Sequence, residues 1–179
     1  MIFQETKLKG AYIVEPEPHE DSRGFFARTF CAREFRSHGL ITEFVQCSVS
    51  MSRKRGTLRG MHYQLPPACE AKLVRCTAGA LYDVIVDLRP GSPTYRQHIG
   101  VELTGLNRRA LYVPELFAHG FQTLADNTEV FYQISAYYTP EKATGIRHDD
   151  PALGIHWPLP QSEISEKDRN WPPLGNPEG

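Results

Sequence analysis

Hydrophobic and polar residues alternate along much of the chain. Within Phe44–Ser52, the apolar residues Val45, Cys47, Val49 and Met51 alternate with one glutamine and three serines. A period of two is typical of a strand with one buried face, so the polar row is expected to point toward water. Similar segments predict further strands at Ala11–Val14, Leu58–Tyr63, Ala71–Cys76, Ala80–Asp87, His98–Leu103, Ala110–Val113, Gly120–Leu124 and Val130–Tyr137. Short turns at regular intervals between these segments favour an all-β sandwich or jelly roll.

Two short helices are expected at the periphery of the sheets. Cys31–His38 is followed by Gly39, and glycine commonly ends a helix. Ser165–Asn170 begins with a serine that can cap a helix, and Asp168 at the third position can reach back to that serine. The tail over residues 145–179 has no clear period, so it is expected either to wrap around the sheets or to fray.

The composition fits one domain over residues 1–179 and argues against two classes of partner. Lysine and arginine total 20 against 21 aspartates and glutamates, so the net charge of −1 argues against a nucleic-acid partner. The longest apolar stretch, Leu81–Leu88, contains two aspartates and is far shorter than the roughly 20 residues of a membrane helix. The four cysteines form no CxxC pair and no signal-peptide pattern precedes the strands, so we expect a cytoplasmic protein with free thiols.

Three residues on two neighbouring predicted strands carry candidate chemistry. Arg59, His62 and Lys72 could face one cavity, although Arg59 and His62 are three positions apart. A regular strand would send them to opposite faces, and only a bulge or twist near Gly60 would bring them together. On these residues alone, an ordinary core or surface histidine without a chemical role is the favoured interpretation of His62.

A metal site is the alternative use of the histidines. His62, Glu70 and His119 are the residue types that bind transition metals in β-barrel proteins. The common barrel motif has two histidines separated by one residue, whereas Tyr63 and Gln64 follow His62. We therefore expect no metal and no other cofactor.

Ordered motifs along nearly the whole chain resemble the dTDP-4-dehydrorhamnose 3,5-epimerase family. They begin at the Asp-Ser-Arg-Gly turn of residues 21–24 and continue to the tail, as the ranges 55–64 (RGTLRGMHYQ), 72–76 (KLVRC), 83–87 (DVIVD), 117–121 (FAHGF) and 165–168 (SEKD). The resemblance implies a metal-independent cupin-type jelly-roll barrel that forms a homodimer.

The family's chemistry implies roles for four residues. Its substrate is a dTDP-linked 4-keto-6-deoxyhexose, which is inverted at C3 and C5 through an enolate. By this resemblance His62 is the base, Asp168 orients it and Lys72 stabilises the charge at O4. Tyr132 matches the general acid on the opposite face of the sugar, whereas the sequence alone would favour an aromatic residue packed in the core.

The same matching assigns the substrate-binding residues. The candidates for the diphosphate are Arg23, Arg59, His119 and Lys167. Phe26 and Tyr138 are expected to flank the thymine, and Gln46 and Ser48 to line the pocket.

Departures from the family pattern leave the substrate open. Arg28 stands where many members have glutamate, Ser48 where many have asparagine, and Leu116 where a glycine usually precedes the Phe-Ala-His-Gly-Phe motif. Arg28 and Ser48 lie near the sugar or base in the family's site, and Leu116 could move the loop that carries His119. Inversion of C3 alone, a nucleotide-sugar-binding cupin without turnover and a metal-dependent cupin enzyme therefore remain as alternatives.

Overall fold

The computed structural model describes residues 1–175, and its regular secondary structure is mostly β-strand. The described part has two short helices, α1 (Ala32–Ser37) and α2 (Glu166–Arg169). Its strands are β1 (Ile2–Glu5), β2 (Tyr12–Glu15), β3 (His19–Asp21), β4 (Gly24–Phe26), β5 (Gln46–Ser52), β6 (Leu58–Gln64), β7 (Lys72–Ala78), β8 (Ala80–Asp87), β9 (His98–Thr104), β10 (Ala110–Val113), β11 (Phe117–Thr123), β12 (Thr128–Ile134) and β13 (Ala143–Gly145).

Two antiparallel sheets form the body of the molecule. One has the order β1-β2-β10-β7-β12-β5 and the other β13-β6-β11-β8-β9, while β3 and β4 pair separately as a hairpin. Residues from both large sheets pack together in one buried cluster that includes Val74, Ile85, Leu111 and Phe121. This double-sheet arrangement confirms the predicted all-β, cupin-type jelly roll with short peripheral helices.

Strand β8 lies inside a sheet and is buried on both faces, so its burial does not alternate as that of a half-buried strand would. All residues from Asp83 to Asp87 are buried, including both aspartates. Ile85 faces the other sheet, whereas Val84 and Val86 pack beneath the tail residues Ile146 and Leu153. The tail therefore wraps around the outer face, which settles the choice between wrapping and fraying for its described part.

Helix α1 covers the outer face of the six-stranded sheet. Phe35 is fully buried and packs with Leu73 and Tyr112 of that sheet. The helix ends as predicted at Gly39, which has φ +70°, and the Gly39 and Leu40 amides donate to the carbonyls of Arg36 and Phe35. This pair of bonds is the Schellman motif, which requires a left-handed residue after the helix.

Strand β5 is oriented differently from the expected half-buried strand. It lies at the edge of the six-stranded sheet, and its apolar row is exposed, with Val49 at 60% and Met51 at 47%. The polar row faces inward, toward a cleft between the sheets that Gln46, Ser48 and Ser50 line. The expectation of a buried apolar row was wrong because no residue within 1–175 covers that face.

Neither helix in residues 1–175 is long and apolar enough to cross a membrane.

Candidate active site

A cleft of about 390 Å³ opens between the two large sheets. Its walls come from β5, β7 and β12 on one side, from β6 and β11 on the other, and from the tail around α2. Ten of the residues proposed from the sequence line it: Gln46, Ser48, Arg59, His62, Lys72, His119, Tyr132, Tyr138, Lys167 and Asp168. The fold thus gathers most of the expected site in one place.

A bulge in β6 explains how Arg59 and His62 share this cleft. His62 pairs with His119 and Arg59 with Phe121, so three steps along β6 match two steps along β11. The extra residue reverses the alternation, as the sequence required. The bulge contains Gly60, at φ +128°, where a Cβ atom would lie 2.5 Å from the Gly120 backbone, so only glycine fits.

His62 and Asp168 form a short hydrogen-bonded pair. His62 Nε2 lies 2.6 Å from Asp168 Oδ1, and the Gly60 N–H donates to Asp168 Oδ2 at 3.1 Å. Burial alone raises the pKa of Asp168, but the bonds from His62 and Gly60 and the nearby Trp171 indole together hold it below its usual value. An ionised carboxylate only accepts hydrogen bonds, so the His62 proton lies on Nε2 and Nδ1 is free to act as a base.

The Asp168 carboxylate does not cap its own helix. The backbone N–H of Asp168 donates to Ser165 Oγ at 3.1 Å, which confirms the serine cap. The side chain points away from the helix end and bonds to His62, which lies 106 positions earlier in the sequence. The helix cap and the dyad therefore use different parts of one residue.

Lys72 lies deep in the cleft beside Glu70. Its ammonium is 2.8 Å from Glu70 Oε1, and it donates to the carbonyl of His62 at 3.4 Å. Both side chains are only 10% exposed. Glu70, named above as a possible metal ligand, instead pairs with this lysine, and no group of three potential ligands occurs within residues 1–175.

Tyr132 comes from the sheet opposite His62. Its hydroxyl lies 3.3 Å from Ser50 Oγ, and its ring packs edge-on against His119 at 6.2 Å between centroids. Burial raises the pKa of the Tyr132 phenol far above its usual value. The phenol therefore carries its proton at neutral pH, as a general acid must.

His119 forms a second histidine–carboxylate pair. Its Nε2 lies 2.6 Å from Asp83 Oδ1, and both side chains are almost completely buried. Leu116, three residues earlier, has φ +59°, a left-handed conformation that glycine adopts without strain. His119 still lines the cleft, so the leucine has not displaced it.

Arg23, Phe26 and Arg28 lie outside the cleft of this chain. Arg23 and Phe26 are in or beside the β3–β4 hairpin, where Arg23 pairs with Asp21 and Phe26 is 72% exposed. Arg28 lies 3.7 Å from Glu34. Within residues 1–175 none of these three side chains lines the cleft, so their substrate-binding role stays a prediction.

Sequence reasoning missed three residues at the site. Asp83 and Ser50 hold His119 and Tyr132, and Trp171 lines the cleft next to His62. The alternation along β5 already placed Ser50 in the same polar row as Ser48. Asp83 begins the motif of residues 83–87, but nothing local gave it or Trp171 a role, because both act through contacts distant in sequence.

Comparison with known proteins agrees with this geometry. Residues 5–176 match the family model described as dTDP-4-dehydrorhamnose 3,5-epimerase. A protein of that name from Methanothermobacter thermautotrophicus is 49% identical over 175 residues, covering 96% of this chain and 94% of the relative.

Solved structures give the same result. The dTDP-4-dehydrorhamnose 3,5-epimerase of Bacillus anthracis, with TDP and PPi bound, superimposes with a TM-score of 0.93 at 41% identity, over 97% of this chain and 99% of that one. A 3'-monoepimerase from Streptomyces bikiniensis, in complex with dTDP-quinovose, has a TM-score of 0.87 at 34% identity, over 94% and 85% of the two chains. The chain therefore belongs to the dTDP-4-dehydrorhamnose 3,5-epimerase family.

Proposed function

We propose that this protein inverts C3 and C5 of a dTDP-linked 4-keto-6-deoxyhexose in deoxysugar biosynthesis. The observation that carries the proposal is the cleft between the sheets, where the His62–Asp168 pair comes from one side and the Tyr132 phenol from the other. Inversion requires a base and an acid on opposite faces of one carbon, and this arrangement supplies them.

The reaction uses the acidity of the two carbons that flank the C4 ketone. His62 Nδ1 removes the proton from C3 or C5, and the electron pair of the broken C–H bond forms an enolate. The Lys72 ammonium stabilises the negative charge that develops at O4. The Tyr132 hydroxyl then protonates the carbon from the opposite face. His62 releases its proton to solvent and Tyr132 recovers one from it, so both groups are restored for the second carbon.

The nucleotide end of the substrate requires cations and an aromatic surface. Arg59, His119 and Lys167 line the cleft and are suited to the diphosphate. Arg59 is held in place by Ser52 Oγ at 3.1 Å and by the Met51 carbonyl at 3.2 Å. Tyr138 at the rim is suited to pack against thymine, with Gln46 accepting from its backbone N–H.

Double inversion is favoured over inversion of C3 alone. The relative named as a 3,5-epimerase is 49% identical to this chain and the 3'-monoepimerase 34%. The complete set of His62, Asp168, Lys72 and Tyr132 also argues against a binding protein without turnover. No cofactor is required, because every proton transfer is assigned to a side chain or water.

We further propose that the protein is cytoplasmic, since its four cysteines are free thiols. We also propose that it forms a homodimer. The exposed apolar row of β5 lies on a free sheet edge, and the hairpin carrying Phe25 and Phe26 is also exposed. We infer that a second copy covers these surfaces and that Arg23 and Phe26 reach its cleft, since neither lines the cleft of its own chain. Light scattering should give about twice the chain mass, and a monomer would refute the dimer.

Proton NMR of dTDP-4-keto-6-deoxyglucose in heavy water tests the activity. We expect the C3 and C5 signals to disappear in the presence of the protein. Loss at C3 alone would establish a monoepimerase. Arg28→Glu and Ser48→Asn, which restore the common family residues, would then be the first substitutions to test. No exchange, together with unchanged dTDP affinity in His62→Asn, would identify a binding protein.

A further inference from the structure

Trp171 lies in the cleft next to the proposed base. The residue follows α2 in the tail, and its ring stands edge-on to His62 at 6.1 Å between centroids and 71° between planes. The Lys167 ammonium lies 5.3 Å from the centre of the same indole. One aromatic side chain thus borders both the base and a candidate diphosphate ligand.

The backbone provides a space for this indole beside His62. Gly145 of β13 pairs directly with His62. A Cβ atom at Gly145 would lie 2.5 Å from Trp171 Cε2, so any larger residue would push the ring away. The absence of a side chain at Gly145 therefore allows the indole to approach the strand that carries the base.

The indole N–H is buried, and no residue in the described part of the chain accepts a hydrogen bond from it. A buried donor of this kind is uncommon and calls for an explanation. Trp171 lies close enough to Asp168 to be among the groups that lower the pKa of its carboxyl. The indole therefore borders both members of the His62–Asp168 pair.

We propose that Trp171 is a positioning residue that holds the His62 ring and the Asp168 carboxylate in their reactive arrangement. This inference rests on the proposed function, because it deepens the description of the same site. His62 has 42% of its side chain exposed, so its ring is free on the cleft side and needs a contact to fix its orientation. A base displaced by about 1 Å can lose about 10²-fold in rate.

Two substitutions separate positioning from simple packing. Trp171→Leu keeps an apolar side chain but removes the flat ring, and we expect kcat to fall about tenfold while KM and the dTDP dissociation constant stay within about threefold. Trp171→Phe restores an aromatic ring and should recover kcat to within about threefold of wild type. Trp157→Phe is the matched control, because Trp157 Nε1 donates to the His148 carbonyl outside the cleft.

Each result decides one question. Equal kcat in Trp171→Leu and wild type would overturn the role of Trp171, as would a loss confined to KM or a Trp171→Phe enzyme as slow as Trp171→Leu. Absence of exchange in the wild type itself would refute the proposed function and this inference with it.

A fluorescence measurement covers the case in which Trp171→Leu does not fold. In the Trp157→Phe background Trp171 is the remaining tryptophan. Adding His62→Asn should then change its emission, since the imidazole is its edge-on neighbour, and an unchanged spectrum would contradict the contact on which the proposal depends.

Discussion

Replacement of Asp168 by asparagine tests the dyad with almost no change in shape. The carboxylate accepts from His62 Nε2 and from the Gly60 N–H, and it is 5% exposed. An asparagine has one acceptor oxygen and one donor nitrogen in the same place. It can therefore satisfy only one of these two donors.

Both orientations of the amide impair the base. With its oxygen toward Gly60, the amide N–H donates to His62 Nε2, so the imidazole proton moves to Nδ1 and the base is lost. With its oxygen toward His62, the amide N–H faces the Gly60 N–H and leaves a buried donor unpaired, at a cost of about 1–3 kcal/mol. Losing the carboxylate charge weakens the hydrogen bond to His62 by about another 1–2 kcal/mol.

The sum is about 2–5 kcal/mol, which corresponds to a fall in kcat of about 30- to 5,000-fold. The assay is exchange of the C3 and C5 protons at saturating substrate, with dTDP affinity from calorimetry and thermal unfolding as controls. We expect the dTDP dissociation constant to stay within about threefold, because Asp168 contacts the sugar-side base. A kcat for Asp168→Asn within about threefold of wild type would refute the tautomer argument.

Three other perturbations test separate parts of the site and fold. Tyr132→Phe should lower kcat about 10²-fold without changing dTDP affinity, since only the acidic hydroxyl is lost, and full activity in this variant would remove Tyr132 from the acid role. Asp83→Asn should instead weaken dTDP binding about tenfold in calorimetry, because this carboxylate holds His119, and a loss confined to kcat would contradict the diphosphate assignment. Burial alone would raise the pKa of Asp87, but Arg89 and neighbouring hydroxyl groups lower it to about 2, below its value in the unfolded chain. Asp87 therefore adds about 2 kcal/mol to the free energy of unfolding. This contribution is present above pH 4 and is lost as the pH falls through 2. Urea unfolding should therefore show a smaller gap between wild type and Asp87→Asn at pH 2.5 than at pH 7, and an equal gap would contradict that pKa.

Local patterns predicted the longer strands well. The prediction for β8 (Ala80–Asp87) and β10 (Ala110–Val113) matches the structure at both ends. The start of β11 was missed because Phe117 and the residues after it are all buried and show no alternation. The strands β1, β3, β4 and β13 were not predicted. They have only three or four residues each, so their period-two signal is weak, although β2 and β10 are equally short and were recognised.

The direction in which a strand faces was less predictable than its existence. The alternation in β5 was real, but the buried and exposed rows were exchanged relative to expectation. A period identifies two faces, and only the surrounding elements determine which one is covered. In β5 the polar face lines the cleft, and the apolar face is exposed.

By itself, the sequence determined the all-β class and the caps at Gly39 and Ser165, because strand periods and caps depend on neighbours in the chain. The candidate site residues came from the resemblance of the motifs to the family. The tertiary structure alone decided that Arg59 and His62 share a face, since this requires the bulge at Gly60. It also decided that Asp168 reaches His62 across 106 positions and that Arg23 and Phe26 lie outside their own chain's cleft. Such placements follow from the packing of the tail, the sheets and the hairpin, and long-range packing leaves no periodic signal in a single sequence.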